Sequence, residues 1–191
     1  MSAFGLTASQ TIGPFFAPAL LRPDAECHVL AGASTLGERV RIDGLVLDGN
    51  GEPVPDAMIE IWQANASGRY NHPADTRPLP LDPAFTGYGR SGTDEDGRFW
   101  FETVRPGRVP AAGGRLQAPH LVVTVFARGL LNHAVTRLYF EGDPTNADDP
   151  VLALVPPGRR DTLLARAIGE GGAYRFDIVL QGPGETVFFN V

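Results

Sequence analysis

The 191-residue chain contains no lysine, so all 16 of its basic residues are arginine. The glycine pairs Gly113-Gly114 and Gly171-Gly172 therefore cannot belong to a phosphate-binding loop, which needs a lysine at fixed spacing. Cysteine is nearly absent as well. Cys27 stands alone, which excludes an internal disulfide and any metal motif built on cysteine, and suits a free thiol in a reducing compartment. No apolar run approaches the ~20 residues of a membrane span. Met1 to Gln10 lack the basic start and apolar stretch of a secretory leader, so the expectation is a cytoplasmic protein. No G-x-S-x-G elbow occurs, and Ser67 and Ser91 read as turn residues. The four histidines, His28, His72, His120 and His133, show no H-x-H or H-x3-H spacing, so a metal site would have to gather ligands from separate segments. Basic residues form no dense cluster and the net charge is −6, which argues against nucleic acid and for a mildly acidic, soluble surface. Paired carboxylates stay open on residue types alone, although Glu60 falls within a strand pattern and most other acids fall in turns.

What the chain has in quantity is glycine and proline, 23 and 17 residues, placed between apolar runs as turns would be. Arg39 to Leu47 alternates Val40 and Ile42 with Arg41 and Asp43, the period of a half-buried strand. Asp48-Gly49-Asn50-Gly51 is a turn signal, and Ala57 to Gln63 a second strand. A long polar loop is predicted over Asn65 to Arg90, and loops of that length are often functional. Further strands are predicted over Arg98 to Val104, Leu121 to Arg128, Thr136 to Phe140 and Tyr174 to Leu180, with Thr186 to Phe189 closing the sheet. Arg159 to Ile168 is the one helix candidate, with Leu163, Leu164 and Ile168 on one face. The expected fold is all-β: a single antiparallel β-sandwich with long loops, one short helix and an extended N-terminal arm. Residues 1–191 read as one domain, with residues 1–38 as the arm.

Several ordered motifs carry a resemblance. Gly44-Leu45-Val46-Leu47-Asp48, Gly51-Glu52-Pro53-Val54-Pro55-Asp56-Ala57 and Ile59-Glu60-Ile61-Trp62-Gln63-Ala64-Asn65 lead into Gly68-Arg69-Tyr70. Thr93 to Gly97, Arg105-Pro106-Gly107, Ala118-Pro119-His120, Leu138-Tyr139-Phe140 and Tyr174 to Ile178 come next, in order. Together they resemble the intradiol ring-cleaving dioxygenases, from about Thr7 to the C-terminus.

The resemblance implies a ferric ion held by two tyrosines and two histidines, hard anionic phenolates and imidazoles being suitable donors for Fe(III). Matched residue by residue, those positions are Tyr70, Val109, His120 and Val122. Valine has no donor atom, so two of the four ligands are missing and Tyr70 and His120 read as vestigial. Gln117 stands where the iron-binding members carry arginine, and Arg137 where they carry glutamine; a fixed guanidinium there works against binding a cation. This broken set is similar to the family's non-iron-binding alpha subunits, whose features recur in Ser9-Gln10-Thr11, Gly13-Pro14, Phe126-Ala127-Arg128-Gly129, His133, Thr136-Arg137 and Gly184 to Phe189. The resemblance further implies a higher alpha–beta hetero-oligomer in which a homologous beta subunit binds Fe(III). Protocatechuate and O2 are the implied substrates and 3-carboxy-cis,cis-muconate the product. On this chain, Thr11, Gly13, Pro14, Phe15 and Arg128 would line the substrate pocket, the arm would touch the partner, and no residue would be catalytic alone. Phe15 replaces a tyrosine common at that position. Two other readings stay open: a non-catalytic β-sandwich binding module related in fold only, and a self-sufficient enzyme with His72 or His133 as substitute ligands.

Overall fold

The computed structural model describes residues 11–13, 16–169 and 171–190. Nine strands form one sheet. They are β1 (Arg39–Leu47), β2 (Met58–Trp62), β3 (Tyr88–Gly92), β4 (Arg98–Val104), β5 (His120–Phe126), β6 (Ala134–Phe140), β7 (Leu164–Ala167), β8 (Ala173–Arg175) and β9 (Ile178–Val179). The hydrogen-bonded order is β3-β2-β5-β6-β7-β8-β1-β4, with β9 added on β1. The end strands β3 and β4 pack beside each other, so the sheet nearly closes on itself.

The all-β expectation stands, but the antiparallel sandwich is corrected to a mixed sheet. β6 and β7 are parallel, and so are both pairings of β1 with β8 and β9. The remaining pairs are antiparallel. The helix predicted over Arg159 to Ile168 is also corrected. Pro157–Leu163 makes 3-10 turns, and Leu164 then leaves for β7. The open edge of β6 supplies the reason, since Leu164 and Ala165 pair with Tyr139 and Phe140. Ile168, on the apolar face of the predicted helix, remains exposed.

β1 and β4 match their predicted bounds because alternation marks them. Val40, Ile42 and Val46 are buried, and the intervening side chains face outward. The predicted strand over Tyr174 to Leu180 is broken in two. The Asp177 carboxylate accepts the Leu45 N–H at 2.8 Å, taking the place of a ladder carbonyl between β8 and β9. β3 begins within the stretch predicted as a long polar loop, at Tyr88, and runs past its end at Arg90. Its Gly89 sits so close to Leu30 and Ile61 that a Cβ would meet them at 2.7 and 2.9 Å, and a residue without a side chain gives no alternation to read.

The described part of the N-terminal segment is not simply extended, which corrects the predicted arm. Phe16–Leu20 forms a short helix, α1. After it, Cys27 bridges to Arg90 and Val29 to Glu102, tying the segment to the sheet. The main core packs one face of the sheet with Ile42, Ile59, Phe101, Leu121, Val123, Leu138 and Phe140. A second buried cluster, Ala118, Tyr139, Leu152, Val155 and Leu163, lies under the irregular 141–163 segment. No helix among the described residues is long and apolar enough to cross a membrane.

Candidate functional site

Strand β5 organises both regions of interest. Leu121, Val123 and Val125 point into the core, so His120, Val122, Thr124 and Phe126 share the opposite face. His120 lies opposite Tyr139, and Val122 sits between Trp62 and Arg137. The Tyr70 ring stacks on Trp62 with centroids 5.8 Å apart. Tyr70 and Val109 line one cleft of about 530 Å³ together with Trp62, His72, Arg77 and Pro110. The fold thus gathers Tyr70 and Val109 at this end of the strand. It sets His120 and Val122 on the adjoining sheet face.

Their chemistry is that of a packed interior. His120 is 4% exposed. Its Nδ1 lies 2.8 Å from the Ala118 carbonyl oxygen, and because a carbonyl only accepts, Nδ1 carries the hydrogen. Burial, and then the charge of Arg137, pull the imidazole pKa down to about 4, so it is neutral near pH 7. Burial pushes the Tyr70 phenol above its ordinary value, opposed by Arg137 and Arg77, so it is a neutral phenol and not a phenolate. The Arg77 guanidinium beside Asp75 holds that carboxyl well below the usual range, and Asp75 accepts the Tyr70 N–H at 2.8 Å. Arg137 donates to Gln117 Oε1 at 2.6 Å and to the Tyr139 hydroxyl at 3.3 Å. Beneath them lies Asp149, which is fully buried and accepts from the Ala118, Val151 and Leu152 N–H groups and from the Tyr139 hydroxyl. Among the described residues, no group of three or more His, Cys, Asp or Glu converges.

The far end of β5 differs. The β2–β5 register pairs Met58 with Phe126. Continued two residues outward, it sets Asp56 opposite Arg128, and the two form an ion pair. Both line a cavity of about 400 Å³ whose other walls are Ile12, Gly13, Phe16 and Ala17 of the N-terminal segment. Phe16 packs on Phe126, and Phe126 on His133, with centroids 6.2 and 5.5 Å apart. Of the pocket residues read from the sequence, Gly13 and Arg128 line this cavity, whereas Thr11 is exposed and outside its lining. Pro14 and Phe15 lie outside the described residues. His72 lines the first cleft, and His133 lines a small cavity beside Ile12 and Phe126.

Comparison with known proteins fits this geometry. The Dioxygenase family profile matches residues 12–182. The chain belongs to the intradiol dioxygenase family. It is 44% identical to the protocatechuate 3,4-dioxygenase alpha chain of Burkholderia cepacia, over all of both chains. With the beta chain of the same enzyme it shares 40% identity, over 85% of this chain and 73% of that one. Among solved structures, the dioxygenase domain of a carbohydrate-binding fusion protein from Streptomyces sp. SirexAA-E superposes with a TM-score of 0.63, at 30% identity, over 92% of this chain and 98% of that one. The alpha-type resemblance read from the motifs is borne out in the full-length match.

As a member of the intradiol dioxygenases, the chain can be tested for the iron that the family implies. The residues do not fit it. Val109 is buried and Val122 half-buried, and neither has a donor atom. Tyr70 and His120 are both held neutral, and Arg137 brings a positive charge to bear on each. Sequence reasoning misses Asp149 and Asp56. Asp149 reads as one more acid in a polar stretch, because its Ala118 partner is 31 residues away; Asp56 reads as a turn residue.

Proposed function

We propose that the chain is the non-iron-binding alpha subunit of a protocatechuate 3,4-dioxygenase. A homologous beta subunit holds Fe(III), and the assembled alpha–beta hetero-oligomer cleaves protocatechuate with O2 to 3-carboxy-cis,cis-muconate. One observation carries this reading. An alpha chain matches along its whole length, yet two of four ligand positions are valine and the remaining pair sits under a guanidinium. The match to a beta chain, itself named as part of the same enzyme, supports a paired partner.

In this reading residues 1–191 act as one domain, and the 1–38 arm, with Thr11, Gly13, Pro14 and Phe15, walls the substrate pocket against the partner. Arg128 supplies a cation for the carboxylate that distinguishes protocatechuate from simple catechols, a charge-assisted contact of the stronger class. The arm helps exclude bulk water. The lone Cys27 thiol suits a cytoplasmic setting.

The test is Arg128→Ala in the assembled enzyme. The expected result is a KM for protocatechuate raised about tenfold, equivalent to losing one exposed charged contact, with iron content unchanged. An unchanged KM would remove Arg128 from the pocket.

A further inference from the structure

Arg128 does not stand free. Its ion pair with Asp56 closes on Nε, the guanidinium nitrogen nearest the stem. The terminal nitrogens, which meet a carboxylate in the two-point geometry, hold no hydrogen bond among the described residues. The two partners are unequal. The Arg128 side chain is 75% exposed, whereas Asp56 is 28% exposed and sits in the turn that enters β2. The turn leading into β2 therefore anchors the acid, and the acid steadies the arginine. A long side chain exposed to this degree would otherwise sample many rotamers, and ordering it on ligand binding would carry an entropic cost.

We propose that Asp56 is a positioning residue. It holds Arg128 by Nε so that the terminal nitrogens are presented to the carboxylate of a small aromatic acid in the cavity beside Ile12, Gly13, Phe16 and Ala17. This rests on the reading of Arg128 as the carboxylate-binding cation. Asp56 also carries a negative charge that opposes an anionic ligand, so two effects compete. The carboxylate of Asp56 meets the stem-side nitrogen, so its charge acts on the guanidinium at closer range than on a ligand at the terminal nitrogens, where solvent and salt screen the repulsion. Orientation is therefore the larger effect.

The two effects separate by substitution in the enzyme assembled with its beta subunit. Asp56→Ala and Asp56→Asn both remove the charge that pairs with Nε, whereas Asp56→Glu keeps a carboxylate there. Asp56→Ala and Asp56→Asn are each expected to raise KM for protocatechuate about fivefold with kcat within about twofold, and Asp56→Glu to keep KM within about twofold of the parent. The double variant Asp56→Ala with Arg128→Ala should be no worse than Arg128→Ala alone, because the acid acts only through the arginine. For catechol, which lacks the carboxylate, Asp56→Ala should leave KM unchanged. If Asp56→Ala leaves KM for protocatechuate unchanged or lowers it while Arg128→Ala raises it, the positioning role is overturned and the Arg128 reading survives. If Arg128→Ala itself has no effect, the underlying reading fails first. A KM rise equal for both substrates, or additive in the double variant, would mark Asp56 as a general structural residue and overturn the proposal.

Discussion

The two ends of β5, about 20 Å apart along the strand, carry opposite kinds of polar chemistry. At its start, His120, Tyr139 and Asp149 are buried and bonded to one another's surroundings, and a guanidinium lies over them. At its far end an ion pair between the exposed Arg128 and the half-buried Asp56 faces a cavity walled by the N-terminal segment. The first end has been absorbed into the packing, its polar groups satisfied internally. The second end keeps an open wall and a charged group within reach of a ligand. In the proposed reading, the ligand-binding work of the chain falls to this second end.

The comparison breaks most visibly at Asp149. Asp149→Ala would strand the Tyr139 hydroxyl and three backbone N–H groups in the buried interior, at a cost of about 3 kcal/mol. Denaturant unfolding of the parent and variant measures it, and a loss below about 1 kcal/mol would mean that this end is less tightly integrated than described. A change of similar size, spread over pH, is expected at His120. Its folded pKa of about 4 lies below the unfolded value of about 6.5, so the unfolded chain takes up the proton first. The stabilisation is complete above about pH 6.5 and is lost as pH falls toward 4, by on the order of 3 kcal/mol. His120→Gln should flatten stability across that window; an unaltered pH dependence would mean that His120 titrates normally. The smallest effect is expected at Tyr70. Its hydroxyl makes no hydrogen bond among the described residues, so Tyr70→Phe should change stability by less than about 0.5 kcal/mol and leave the iron content of the assembled enzyme as it was.

How much of the fold is legible in the sequence depends on how local each signal is. β1 and β4 are legible to the residue because buried positions alternate with less buried ones along the whole of β1 and from Arg98 to Thr103 in β4. β3 is not, because its glycines carry no pattern. β7 reads as helix because the partner that draws Leu164 and Ala165 into a ladder is β6, over twenty residues earlier. The parallel pairings escape for the same reason, since nothing within β8 or β9 names β1 as neighbour. Tyr70, Val109, His120 and Val122 come together by motif matching, and the fold sets the first two in one cleft and the last two on the adjoining sheet face. The buried carboxylate of Asp149 and the Asp56–Arg128 pair rest on contacts made across the sheet, which sequence spacing does not encode.

The central claim is that this chain contributes a pocket wall and not a metal. Iron content and visible absorbance, measured on the chain purified alone and then co-expressed with its beta partner, test it directly. The account requires a colourless, iron-free and inactive chain alone, with iron, tyrosinate-to-iron colour and protocatechuate cleavage only in the complex. Stoichiometric iron with ring-cleaving activity in the isolated chain would contradict it.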